Sequence, residues 1–99
     1  MGYSPSVYRS EKTISSSAVN IQTELAAALL VHSGVNRCVI NVVDNAIRYT
    51  LEGTTPTATK GTKSAAGGLI TLLSYAQIYA FKAIRDTADT EVEMEFFAD

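Results

Sequence analysis

The sequence predicts an all-β domain, a small antiparallel β-sandwich or barrel with an extended N-terminal arm, and three observations carry that prediction. In Ala46-Ile47-Arg48-Tyr49-Thr50-Leu51, the residues Ile47, Tyr49 and Leu51 face one way and Arg48 and Thr50 the other, the period of two that marks a half-buried strand. Val92, Met94 and Phe96 alternate in the same way with Glu91, Glu93 and Glu95. Turn-forming residues recur at a spacing of about 8–12 residues between these runs. The chain has 99 residues, enough for one core and too few for a multidomain enzyme. Apolar residues make up 46% and charged residues 18%, so the chain can bury a core rather than stay disordered.

Taken in order, residues 1–18 combine Pro5, Tyr3 and Tyr8 with serines at 4, 6, 10, 15, 16 and 17. That composition reads as an extended interface arm, too polar for a core strand but with aromatic and apolar handles at Tyr3, Val7 and Tyr8. Residues 19–99 then form the β-sandwich domain. From Asn20 to His32 the periodicity is ambiguous. Ile21, Leu25, Ala28 and Leu29 sit at helical spacing, while Ala26 to Val31 fits a buried strand, and the strand is preferred. Gly34-Val35-Asn36 reads as a turn, Val39 to Val43 as a β-branched central strand buried on both faces, and Asp44-Asn45 as the next turn.

After the strand at 46–51, Gly53 can adopt positive φ and Pro56 lacks a ladder donor, so Glu52 to Pro56 must turn the chain. Thr57 to Gly68 is poor in bulky side chains and reads as a surface loop with one short edge strand, exposing Lys60 and Lys63. Between Leu69 and Arg85, a helical stripe (Leu69, Leu72, Leu73, Ala76, Ala80, Ala83) competes with a two-sided strand over Ile78 to Ile84, and the flanking strands favour the β reading. Six of the ten acidic residues lie between Asp86 and Asp99. The outer face of the last strand is therefore acidic, either a solvated edge that resists aggregation or a docking strip for a basic partner.

Charge and composition narrow the function. A net charge of −2 with scattered Lys and Arg argues against a nucleic-acid partner. No apolar run reaches the length of a membrane span, and the N-terminal residues lack the apolar centre of an export signal. Cys38, the single cysteine, has no partner for an internal disulfide, and an intracellular, reducing site of synthesis is expected. It reads as a small buried hydrophobe, with Arg37 on the opposite face. His32, the single histidine, ends an apolar run, where it caps a strand or meets a turn. The glycines from Gly61 to Gly68 match neither a phosphate loop nor a dinucleotide fingerprint. No catalytic set, metal site or cofactor is expected.

The stretch Ala46-Ile47-Arg48-Tyr49-Thr50-Leu51-Glu52-Gly53-Thr54-Thr55-Pro56-Thr57 resembles the "IxYTxDGxxPT" hairpin of the small β-sandwich domain appended to chitobiases and hexosaminidases. It is more similar still to small tailed-phage virion proteins, in which an "AIRYTxDGTxPTAxxG" stretch precedes an "I-x-x-F-K-A-I" segment and a terminal "V-x-Y/F" strand. The corresponding pieces are Gly61, Ile78-Tyr79-Ala80-Phe81-Lys82-Ala83-Ile84 and Val92-Glu93-Met94-Glu95-Phe96, so the resemblance spans residues 20–97. Glu52 stands where the pattern has Asp, and its longer side chain is less suited to cap the turn.

The resemblance implies a virion structural protein, most concretely a capsid cement or decoration protein on the outer surface of a tailed-phage head. Such a protein would be made in the host cytoplasm, form a homo-oligomer (dimer or trimer) and bridge subunits of the major capsid protein. Contacts are expected at Tyr3, Val7 and Tyr8, at Lys60 and Lys63, and at Glu91, Glu93 and Glu95, each chosen for exposure. A neck or tail connector is the nearest alternative. A carbohydrate-binding module is another, and it would need exposed aromatics. Tyr49 and Tyr79 could serve, but the strand pattern turns both toward a core or subunit interface.

Overall fold

A computed structural model describes residues 5–99 of the chain. In chain order the elements are β1 (Tyr8–Ile14), β2 (Val19–Asn20), α1 (Gln22–Val31), β3 (Arg37–Val42), β4 (Ile47–Thr50), β5 (Thr62–Ser64), β6 (Leu69–Leu72), α2 (Tyr75–Ala80), β7 (Lys82–Arg85) and β8 (Thr90–Phe97). The strands form two antiparallel four-stranded sheets, ordered β1-β8-β3-β6 and β2-β7-β4-β5. Ile14, Ile40, Leu72, Met94 and Phe96 from the first sheet and Ile47 and Ala83 from the second are buried in one shared core. The all-β sandwich reading holds, with two short helices added. Neither helix is long and apolar enough to cross a membrane.

Alternation along β8 organises the first sheet. Val92, Met94 and Phe96 are fully buried, and β8 pairs with β1 from Tyr8↔Phe96 to Ile14↔Thr90 and with β3 from Arg37↔Phe97 to Val42↔Val92. The acidic strand is therefore central, not a solvated edge; the edges of this sheet are β1 and β6. Strand β3 is also buried on one face only, through Cys38, Ile40 and Val42.

The N-terminal segment departs from the expected arm. Residues 8–14 are extended, but they form a sheet strand whose last residue, Ile14, is fully buried. The boundary drawn at residue 18 thus cuts through the domain. Serine-rich composition concealed the strand because only alternate residues face inward. Lys12 is one of them. Its Nζ donates to Glu24 Oε2 of α1 at 3.1 Å, fastening the strand to the helix.

Both ambiguous segments contain helices. In α1 the helical spacing prevails because Leu25 and Ala28, with Ile21 just before the helix, enter the core on one face, and Ala and Leu favour helix elsewhere. Asn20 Oδ1 accepts from Gln22 N–H at 3.0 Å and satisfies one of its first free donors. Segment 69–85 divides into β6, α2 and β7, so the strand proposed for Ile78 to Ile84 begins only at Lys82. Ser74 caps α2 by accepting from Gln77 N–H at 3.2 Å, and the Gln77 side chain accepts from Leu73 N–H at 2.8 Å. This reciprocal pair is close to a capping box.

Chain crossings between the sheets are pinned locally. Buried Thr90 accepts on Oγ1 from the N–H groups of Asp44 and Asn45 at 3.0 and 2.9 Å, which holds the expected turn between β3 and β4. Gly53 has φ +87°, and a Cβ there would meet open space, so backbone strain is its whole constraint. Thr57 to Gly68 contains the expected edge strand, β5, while Pro56 is buried.

Two stability outcomes follow. Ile14→Ala should cost about 2–5 kcal/mol in chemical denaturation, as for a core residue, and deletion through Ile14 should abolish folding rather than leave a folded monomer. Gly53→Val should cost roughly 1–3 kcal/mol through positive φ alone; an unchanged melting curve would place the strain elsewhere.

Candidate functional site

Alternation that buries one face of each sheet exposes the other, and the two outer faces differ in charge. On the first sheet, β8 presents Glu91, Glu93 and Glu95, and β1 adds Arg9 and Glu11. Arg9 bridges to Glu93 at 3.0 Å and Glu11 at 3.3 Å. Carboxylate oxygens of Glu11, Glu91 and Glu93 lie within 4.8 Å of one another, an oxygen-donor set of the kind hard cations prefer. Repulsion from Glu11, with burial and then Glu93 and Asp44, raises the Glu91 carboxyl above its ordinary value.

The second sheet presents Arg48, Lys63 and Lys82 outward, around Ile84. Asp86 joins two of them, 2.9 Å from Arg48 Nε and 3.3 Å from Lys63 Nζ. Burial pushes the Asp86 carboxyl up, but hydrogen bonds and charge from Arg48 and Lys63 outweigh it and hold the group below its ordinary value. Lys60 is exposed at the end of a tight loop closed by paired backbone bonds with Thr57 at 3.0 and 3.2 Å.

Exposed large apolar side chains also lie on and beside the two helices. On α1 and just before and along α2, Leu30, Val31, Leu73, Tyr75 and Tyr79 are 90, 60, 68, 48 and 51% exposed. The Tyr75 and Tyr79 rings stack with centroids 6.1 Å apart, and Gln22 of α1 donates to the Tyr79 carbonyl at 3.1 Å. The strand reading of 69–85 missed this surface because period two turned Tyr79 inward. The Ser74-x-x-Gln77 spacing was the available signal for a helix that turns it outward.

The expected contact residues separate. Glu91, Glu93 and Glu95 share one face, Lys63 lies toward the other, and Tyr3 falls outside the described residues. Val7 and Tyr8 are half-buried against the core. Val7 N–H donates to the Phe96 carbonyl at 2.8 Å, and the Tyr8 ring lies 6.0 Å from Phe96. Tyr49 packs on Phe81 at 5.7 Å.

The single histidine and the single cysteine have structural settings. His32 Nδ1 accepts from Gly34 N–H at 3.0 Å, so it closes the turn after α1. Cys38 is buried, and burial pushes its thiol up to about 12. Arg37, on the other face, pairs with Asp99 at 2.6 Å and lies 3.9 Å from the centre of the Phe97 ring. Comparison with family models, curated proteins and solved structures finds no match for this chain.

Two measurements test these assignments. In the native protein Cys38 should resist thiol reagents, reacting at the rate of unfolding; fast native labelling would contradict its burial. A raised carboxyl pKa means that the folded state binds the proton more readily, so the Glu91 contribution falls as pH rises from near its ordinary value of 4.5. Glu91→Gln should therefore raise the melting temperature at pH 7, with the gain fading under acid conditions. Asp86 has the opposite sign. Its stabilisation is present above its ordinary value of 3.8 and is lost as pH falls through the lowered one.

Proposed function

We propose that the chain is a non-enzymatic virion structural protein, a capsid cement or decoration protein that binds the outer surface of a tailed-phage head and bridges major capsid subunits. The observation that carries the reading is the apolar surface at Leu30, Val31, Leu73, Tyr75 and Tyr79. Exposed apolar clusters of this kind on small domains mark contact with another macromolecule, and tyrosine is enriched where such contacts form. The resemblance of residues 46–57 to small virion proteins supplies the class of partner.

The mechanism is mechanical. Many copies, each weakly held, bind a lattice more tightly than one copy could. Contacts available only in the expanded shell shift it toward that state and strengthen it against packaged DNA. The stacked Tyr75 and Tyr79 rings also favour a second reading, a carbohydrate-binding module, because exposed tyrosine faces can pack on sugar rings.

Purified protein should saturate expanded capsids, bind the unexpanded precursor poorly and raise the temperature the shell survives. Leu30→Glu with Tyr75→Ser should weaken capsid binding about tenfold or more while leaving the melting temperature nearly unchanged. A few copies at the portal vertex or tail would instead indicate a connector. No copies in the particle, together with saturable binding of chitin oligosaccharides, would favour the sugar-binding reading.

A further inference from the structure

The two outer sheet faces suit each other. On the first, Glu11, Glu91, Glu93, Glu95 and Asp99 against Arg9 and Arg37 give 5 − 2, a net of −3. On the second, Arg48, Lys63 and Lys82 against Asp86 give 3 − 1, a net of +2. These faces lie on opposite sides of the shared core, so no copy can bring its own two together. The acidic face holds a shallow depression of about 460 Å³ lined by Arg9, Val39, Asn41, Leu69, Glu93 and Glu95, with Leu69 well exposed. The basic face carries half-buried Ile84 among its cations. Each therefore offers apolar side chains among charges that are mainly of one sign.

We propose that the acidic outer face of the first sheet docks on the basic outer face of the second sheet of another copy, joining copies head to tail. Like faces repel, which disfavours a two-fold dimer through either face. Opposite faces attract, and their contact is heterologous, closing into a ring or extending as a filament according to the rotation between copies. Repulsion around Glu91 is relieved when a cationic surface covers it. The proposal uses surfaces distinct from the apolar helix patch, so a copy could engage its neighbours and a shell together.

The test uses two full-length variants. Glu91→Lys with Glu95→Lys makes both faces basic and leaves the Arg9 to Glu93 bridge intact. Lys63→Glu with Lys82→Glu makes both faces acidic. Circular dichroism and melting first establish that each is folded; if a pair is not, the single changes Glu95→Lys and Lys82→Glu replace it. Sedimentation should show association of the native protein that weakens about tenfold or more between roughly 0.05 and 0.5 M salt. Each variant by itself should be monomeric, and an equimolar mixture should associate again, with both species in equal numbers. A monomeric native protein, salt-independent association, or folded variants that fail to associate when mixed would overturn the proposal. No capsid is present, so neither result bears on the cement reading.

Discussion

Strand β8 is hydrogen-bonded on both sides, and the first sheet depends on it. Its inward residues Val92, Met94 and Phe96 enter the core, while its backbone joins β1 to β3. Without β8, β1 loses its only strand partner and β3 keeps only β6. The same constraint sets the surface chemistry. A strand whose every second residue is buried must expose the rest, and here the rest are Glu91, Glu93 and Glu95. The acidic face is thus the reverse side of the core.

The helices occupy the connections between sheets, α1 from β2 to β3 and α2 from β6 to β7. Their inward residues Leu25, Ala28 and Ile78 extend the core, and their outward ones create the apolar surface. The molecule therefore presents an acidic sheet face, a basic sheet face and an apolar helical side.

Strands with strict alternation were legible in the sequence. Ile47 to Thr50 and Val92 to Phe96 formed where expected, and the Gly53 turn took the positive φ that its residue type permits. Cys38 proved to be core. What escaped detection depended on distant partners. Strand β1 is polar at most positions, and its place became clear only through pairing with residues 76 to 88 positions away. Segment 20–32 offered both periods, and the spacing of Ile21, Leu25 and Ala28 prevailed because a helix buries that set on one face. The acidic strip was visible, but its central position was not, since local sequence does not say which strands lie beside it.

Pairing of Tyr8 with Phe96 also governs when the fold can be completed. All strands of the second sheet have been synthesised by Arg85, whereas the first sheet lacks its middle strand until β8 has been made. A nascent chain stalled before Thr90 therefore leaves β1 without a strand partner and β3 paired only with β6, a gap that β8 alone fills. Closing that gap joins the most widely separated elements of the chain, the slow kind of step in folding by topology. Strand β1 must wait for its partner until β8 has been synthesised, and in that interval its edge is open to chaperones or to the β8 segment of another copy.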